Sequence, residues 1–182
     1  MKINILGGGI AGLASSIFLS KQGHEVTIVE RNDYINELGA GIQITPNAIR
    51  VLDALGIRND FINLAEQSTS LSIRRAENSA LLQKVSMHRL VKDTKVGFYH
   101  LHRHKLINLL RDNAIKNKVK IISNQYINKI IITKDNVRIC SNHIEYDSDI
   151  LIGADGLNSI SRKKLNEDCL LYTSDAADDT TG

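Results

Sequence analysis

Residues 2–6 form a short apolar run that ends in glycines, the profile of a strand buried on both faces of a parallel sheet. Over residues 11–22 the spacing becomes helical, with Leu13, Ile17 and the pair Ala14 and Phe18 repeating, and Gly23 stands where such a helix closes. Residues 25–30 return to a strand pattern, carried by the β-branched Val26, Ile28 and Val29. The three segments predict a βαβ unit of about thirty residues.

Further along, residues 31–45 are glycine-rich and predicted irregular. Thr45, Pro46 and Asn47 look like a helix start, with the only proline of the chain in its first turn, and the helix over 48–55 stops at Gly56. Residues 71–75 and 81–85 read as strand pieces around Asn78 and Ser79, a hairpin inserted within 68–98. Leu106, Ile107, Leu109, Leu110 and Ala114 predict an amphipathic helix. Strands are expected over 119–123, 127–133 and 137–140, the last two joined at Lys134, Asp135 and Asn136. A final strand over 149–152 opens onto Gly153, Ala154, Asp155 and Gly156.

Composition narrows the class. A chain of 182 residues, 42% hydrophobic and 24% charged, suits one α/β domain with a smaller inserted sheet. The net charge of +3 and the lack of an aromatic-interleaved basic run give no reason to expect a nucleic-acid partner. Cys140 and Cys169 have no metal or redox spacing, which points to a reducing compartment. Residues 3–19 could imitate an export signal, but Gly7, Gly8, Gly9 and Gly12 interrupt them. No other stretch approaches membrane-spanning length, so a cytoplasmic protein without a transmembrane segment is expected. His100, His102 and His104 alternate as ligands on one strand face could, yet no carboxylate or cysteine stands beside them, and no metal site is expected.

From Cys169 the periodicity stops. Residues 169–178 resemble the translation of a transposase-type sequencing-library adapter, so residues 169–182 are expected to be a non-native tail.

Gly7, Gly9 and Gly12 form a Gly-x-Gly-x-x-Gly motif directly after a strand and opening a helix. In that setting they permit a tight turn, close approach of a pyrophosphate and close helix–strand packing. Glu30 lies eighteen residues past Gly12, at the end of the second strand, where a carboxylate accepts hydrogen bonds from a ribose. The motif alone leaves FAD and NAD both open.

Three further segments extend the pattern. Glu37, Gly39, Gly41, Gln43, Pro46 and Asn47, followed by Leu52 and Gly56, resemble the stretch after the second strand in class A flavoprotein monooxygenases, the p-hydroxybenzoate-hydroxylase-like and salicylate-hydroxylase-like enzymes. Arg103 and Leu106 resemble that family's Arg-x-x-Leu at a helix start. Asp149, Gly153, Ala154, Asp155, Gly156, Ser159 and Arg162 resemble its DG motif. The family's later Gly-Asp-Ala-Ala-His motif does not occur in the chain.

The resemblance implies an α/β Rossmann-like FAD-binding fold of the glutathione-reductase type. It would occupy residues 1–168, with 68–98 inserted from an incomplete substrate domain. It implies FAD as cofactor, NADH or NADPH as electron donor, and hydroxylation of a small aromatic substrate with O2; another flavin-dependent oxidoreductase, such as a reductase or halogenase, or a non-catalytic FAD-binding fragment stays open. Cofactor contacts are carried onto Gly7, Gly9, Ala11, Gly12, Glu30, Arg31, Ala40, Gly41, Ile42, Gln43, Arg103, Ile127 and Asp155. No catalytic acid or base is assigned.

Overall fold

The computed structural model describes residues 1–33, 40–90, 96–142 and 144–165. The expectations at Glu37 and Gly39, and for the tail from Cys169, lie outside the described residues. The chain opens with β1 (Lys2–Leu6), α1 (Ile10–Lys21) and β2 (Glu25–Val29), followed by β3 (Gly41–Ile44), α2 (Pro46–Ala54) and α3 (Arg58–Ile62). Next come β4 (Glu66–Gln67), β5 (Ser70–Arg74), β6 (Leu81–Ser86), α4 (Met87–Leu90), β7 (Tyr99–His102) and α5 (Arg103–Lys116). The remainder is β8 (Lys120–Ile122), β9 (Lys129–Ile132), β10 (Val137–Cys140), β11 (Glu145–Ser148), β12 (Ile150–Gly153) and α6 (Ile160–Leu165).

Among the described residues, β12, β1, β2 and β8 form a four-stranded sheet in that order, with each neighbouring pair parallel. Because strand side chains alternate, β1 and β2 each feed two cores. Ile3, Ile5, Val26 and Ile28 join the core built with Leu13 and Ile17 of α1 and Leu106, Ile107 and Leu110 of α5. Leu6 and Val29 face the opposite way and pack with Ile127, Ile130 and Ile139. The latter side is covered by the antiparallel sheet β11–β10–β9. The central strands are therefore buried on both faces, the second of which carries Asn4 and Thr27 beside Leu6 and Val29.

The sequence reading of 31–45 as irregular needs correction at residues 41–44. Gly41–Ile44 is a strand, paired antiparallel to β7 with Gly41 opposite His102 and Ile44 opposite Tyr99. Its partner lies more than fifty residues away, and only Ile44 is fully buried, so no local period marks it. α3 also escaped notice. It exists to bury Phe61, whose ring meets Tyr99 edge-on at 5.6 Å between centroids. The hairpin expected around Asn78 and Ser79 is β5–β6, and its outer residues Leu71, Ile73, Leu81 and Leu82 are exposed.

Candidate functional site

The carboxyl ends of the parallel strands are stitched together by backbone bonds beyond the strands themselves. The Gly7 N–H donates to the Val29 carbonyl at 2.9 Å and the Ala154 N–H to the Leu6 carbonyl at 2.8 Å. The Glu30 N–H donates to the Ile122 carbonyl at 2.9 Å, and the Gln125 N–H returns to the Glu30 carbonyl at 2.9 Å. The loops after all four strands thus meet at one end of the sheet, where open α/β sheets bind ligands.

Each motif glycine has a different geometric reason. Gly7 has φ +105°, and a Cβ there would strike the Ala154 carbonyl. A Cβ on Gly12 would strike the Gly7 carbonyl, so α1 lies directly on the turn. Gly9 differs: its backbone is extended, and a Cβ would meet nothing within 4 Å. Gly9 is also the N-cap of α1, with no side-chain cap bond and no acidic residue in the first turn. The positive end of the α1 dipole therefore faces open space.

Glu30 borders that space. One carboxylate oxygen accepts the Gly8 N–H at 2.6 Å and the other accepts the Asn32 N–H at 2.8 Å. On the opposite side, the Asp155 carboxylate closes the start of α6. Its Oδ2 accepts the Ile160 and Ser161 N–H groups at 2.7 and 3.2 Å, and its Oδ1 accepts both the Ser159 and Ser161 hydroxyls at 2.6 Å. The Ser159 hydroxyl oxygen takes the third N–H, from Arg162, at 2.9 Å. Burial alone would raise the Asp155 pKa, but the hydrogen bonds from Ser159 and Ser161 outweigh it and hold the carboxyl below the ordinary aspartate value. Two helix N-termini thus stand at one site, one capped from within and the other left open.

The open space is a cleft of about 480 Å³, within the size range of small-molecule sites. Gly7, Gly9, Glu30, Arg31, Arg103, Ile127 and Asp155 all line it. Ala11 and Gly12 sit in the first turn of α1 and do not line the cleft. Ala40, Gly41, Ile42 and Gln43 do not line it either; they flank it through the Arg103 N–H, which donates to the Ala40 carbonyl at 3.0 Å. Ile127 contributes to the wall while its side chain is buried in the second core. Sequence reasoning missed Tyr126 and Lys163, which also line the cleft. An aromatic directly before Ile127, in a loop following a strand of the main sheet, was the available signal for Tyr126. His102 and His104 stack at 5.5 Å between ring centroids, and the described residues contain no group of three or more side chains placed to hold a metal ion. No helix of the described residues is long and apolar enough to cross a membrane.

A protein-family model described as an FAD binding domain matches residues 1–175. The chain belongs to that family. The FAD-dependent monooxygenase OpS4 of Beauveria bassiana (strain ARSEF 2860) is 28% identical to it over 166 residues, 90% of this chain and 39% of that protein. The 3-hydroxybenzoate 6-hydroxylase of Klebsiella oxytoca is 30% identical over 168 residues, 91% of this chain and 42% of that protein. Among solved structures, p-nitrophenol 4-monooxygenase PnpA from Pseudomonas putida DLL-E4 shares the fold with a TM-score of 0.81 at 22% identity, over 90% of this chain and 42% of that one. The chain therefore spans well under half the length of these two curated relatives.

The residues present fit FAD. The open position at Gly9 leaves room where a side chain would otherwise stand, the uncapped α1 presents N–H groups suited to a diphosphate, and Glu30 offers carboxylate oxygens beside them.

Proposed function

We propose that the complete protein is an FAD-dependent monooxygenase that hydroxylates an aromatic or related small molecule, with NADH or NADPH as electron donor and O2 as co-substrate. The observation that carries this reading is the convergence of the Gly7–Gly9–Gly12 turn, Glu30, Arg103 and the Asp155 segment on one cleft. Relatives such as the 3-hydroxybenzoate 6-hydroxylase support the choice of reaction. Redox chemistry is supplied by FAD when bound; the chain holds and orients it.

In this reading the α1 N-terminus binds the diphosphate and Glu30 accepts hydrogen bonds from ribose hydroxyls. Arg103 directs its forked donors toward the diphosphate or ribityl region. Asp155 acts as a positioning residue: its four internal donors fix the β12–α6 turn against the glycine loop. The β5–β6 hairpin belongs to a substrate domain, whose remaining strands would cover its apolar residues. Two cysteines without pairing spacing favour a reducing, cytoplasmic setting.

The test is NAD(P)H oxidation by the full-length gene product with 3-hydroxybenzoate and other trial phenols. Substrate-stimulated O2 uptake that yields hydroxylated product in equal amount supports the proposal. Reduction of substrate without O2 consumption refutes it and favours a flavin-dependent reductase.

A further inference from the structure

We propose that Tyr126 is the platform on which the purine base of the bound dinucleotide stacks; the proposal rests on the cofactor reading above and extends it to a residue that reading leaves without a role. The cleft carries its chemistry in order. Gly9 and the open end of α1 suit a diphosphate, and Glu30 suits the ribose joined to it. The base attached to that ribose must then lie against residues adjoining Glu30.

Tyr126 is placed there by the backbone. The Gln125 N–H donates to the Glu30 carbonyl at 2.9 Å, which sets Tyr126 one residue from the acid's own main chain. On its other side Ile127 is 4% exposed and locked among Leu6, Val29, Ile130 and Ile139. The loop is thus pinned before and after the tyrosine, while Tyr126 itself is 66% exposed. It belongs to neither apolar core, and it is the only aromatic side chain lining the cleft among the described residues. An aromatic ring anchored at the mouth of a cleft, and not used for packing, offers a π-face to a planar base. Stacking of this kind strengthens binding by roughly ten- to a hundredfold per base and tolerates any base identity.

The experiment titrates FAD and ADP into the full-length gene product, freed of flavin, and into its Tyr126→Phe and Tyr126→Ala variants, with thermal melts of each in the absence of ligand. The expected result is that Tyr126→Ala weakens FAD and ADP by the same factor, about tenfold or more, that Tyr126→Phe binds both like wild type, and that the unliganded melts coincide. Unchanged ADP affinity in Tyr126→Ala overturns the proposal, as does weakened FAD with normal ADP, which would put the ring on the flavin half. Full-length wild-type protein that binds neither ligand refutes the cofactor reading itself, and this proposal with it.

Discussion

The Glu30 carboxylate accepts the Gly8 N–H at 2.6 Å, so the acid at the end of β2 also braces the glycine turn at the end of β1. Glu30→Ala should therefore act twice, on the ligand and on the loop that receives it. The expected loss of FAD affinity is roughly ten- to a hundredfold, from hydrogen bonds to a charged acceptor. Stability should fall less, because both internal bonds are made by a side chain at the edge of the fold. Titration with FAD beside a thermal melt separates the two effects. An affinity equal to wild type would leave Glu30 with the bracing role alone.

Asp155 gives the fold a defined acid sensitivity. Its pKa is depressed, so its stabilising bonds are complete above the ordinary aspartate value and are lost as pH falls through the lower folded value. Replacing it with asparagine removes the charge and turns one of the two acceptor oxygens into a donor, which must face either the α6 N–H groups or the two serine hydroxyls, a cost of about 1–2 kcal/mol at pH 7. Melts from pH 7 downward should show the gap between wild type and Asp155→Asn closing below about pH 4. A gap that stays constant with pH would mean the carboxylate charge contributes nothing.

Lys118 occupies a position that its equivalents fill with glycine. α5 ends with the Lys118 N–H donating to the Ile115 carbonyl and the Val119 N–H to the Ala114 carbonyl, at 2.9 and 3.0 Å. The same two-bond closure ends α1 at Gly23 and α2 at Gly56. Lys118 adopts φ +64°, which a side chain rarely takes. Lys118→Gly should stabilise the chain by about 0.5–1 kcal/mol, read by denaturant unfolding. A destabilised variant would contradict this account of the helix end.

What the sequence made legible was local. The β1–α1–β2 unit, the stops at Gly23 and Gly56, and the helix through Leu106 and Leu110 each follow from a period or a cap within a dozen residues. β3 was not legible because its partner, Tyr99–His102, is remote and its own glycine lacks a side chain to show a period. The motif reading gathered Gly9, Glu30, Arg103 and Asp155, but it could not reveal that the Asp155 carboxylate is already satisfied by α6, since that depends on how Ser159 and Ser161 turn back. Tyr126 was missed because its one signal, an aromatic directly before Ile127, stands alone in a loop with no period or motif around it.

The β5–β6 hairpin leaves Leu71, Ile73, Leu81 and Leu82 45–56% exposed, and uncovered apolar strands promote association. The 182-residue chain is expected to express with poor solubility and to purify without yellow colour. The double substitution Leu71→Thr and Ile73→Thr should raise the soluble yield without shifting the melt, while removal of residues 169–182 should change neither. A soluble, yellow wild-type preparation would refute this expectation, and loss of bound FAD on trimming would show that the tail has a structural role.

The central claim is that the open N-terminus of α1 at Gly9 receives the diphosphate of FAD, and Gly9→Asp tests it most directly. Aspartate is a favourable N-cap in the extended backbone Gly9 already adopts, and its Cβ has free space, so the unliganded melt should hold or rise slightly. The same carboxylate would cap the N–H groups from within and repel a diphosphate, so titration should show FAD and ADP binding weakened by more than about a hundredfold. A stable Gly9→Asp chain that binds FAD with wild-type affinity would contradict the account.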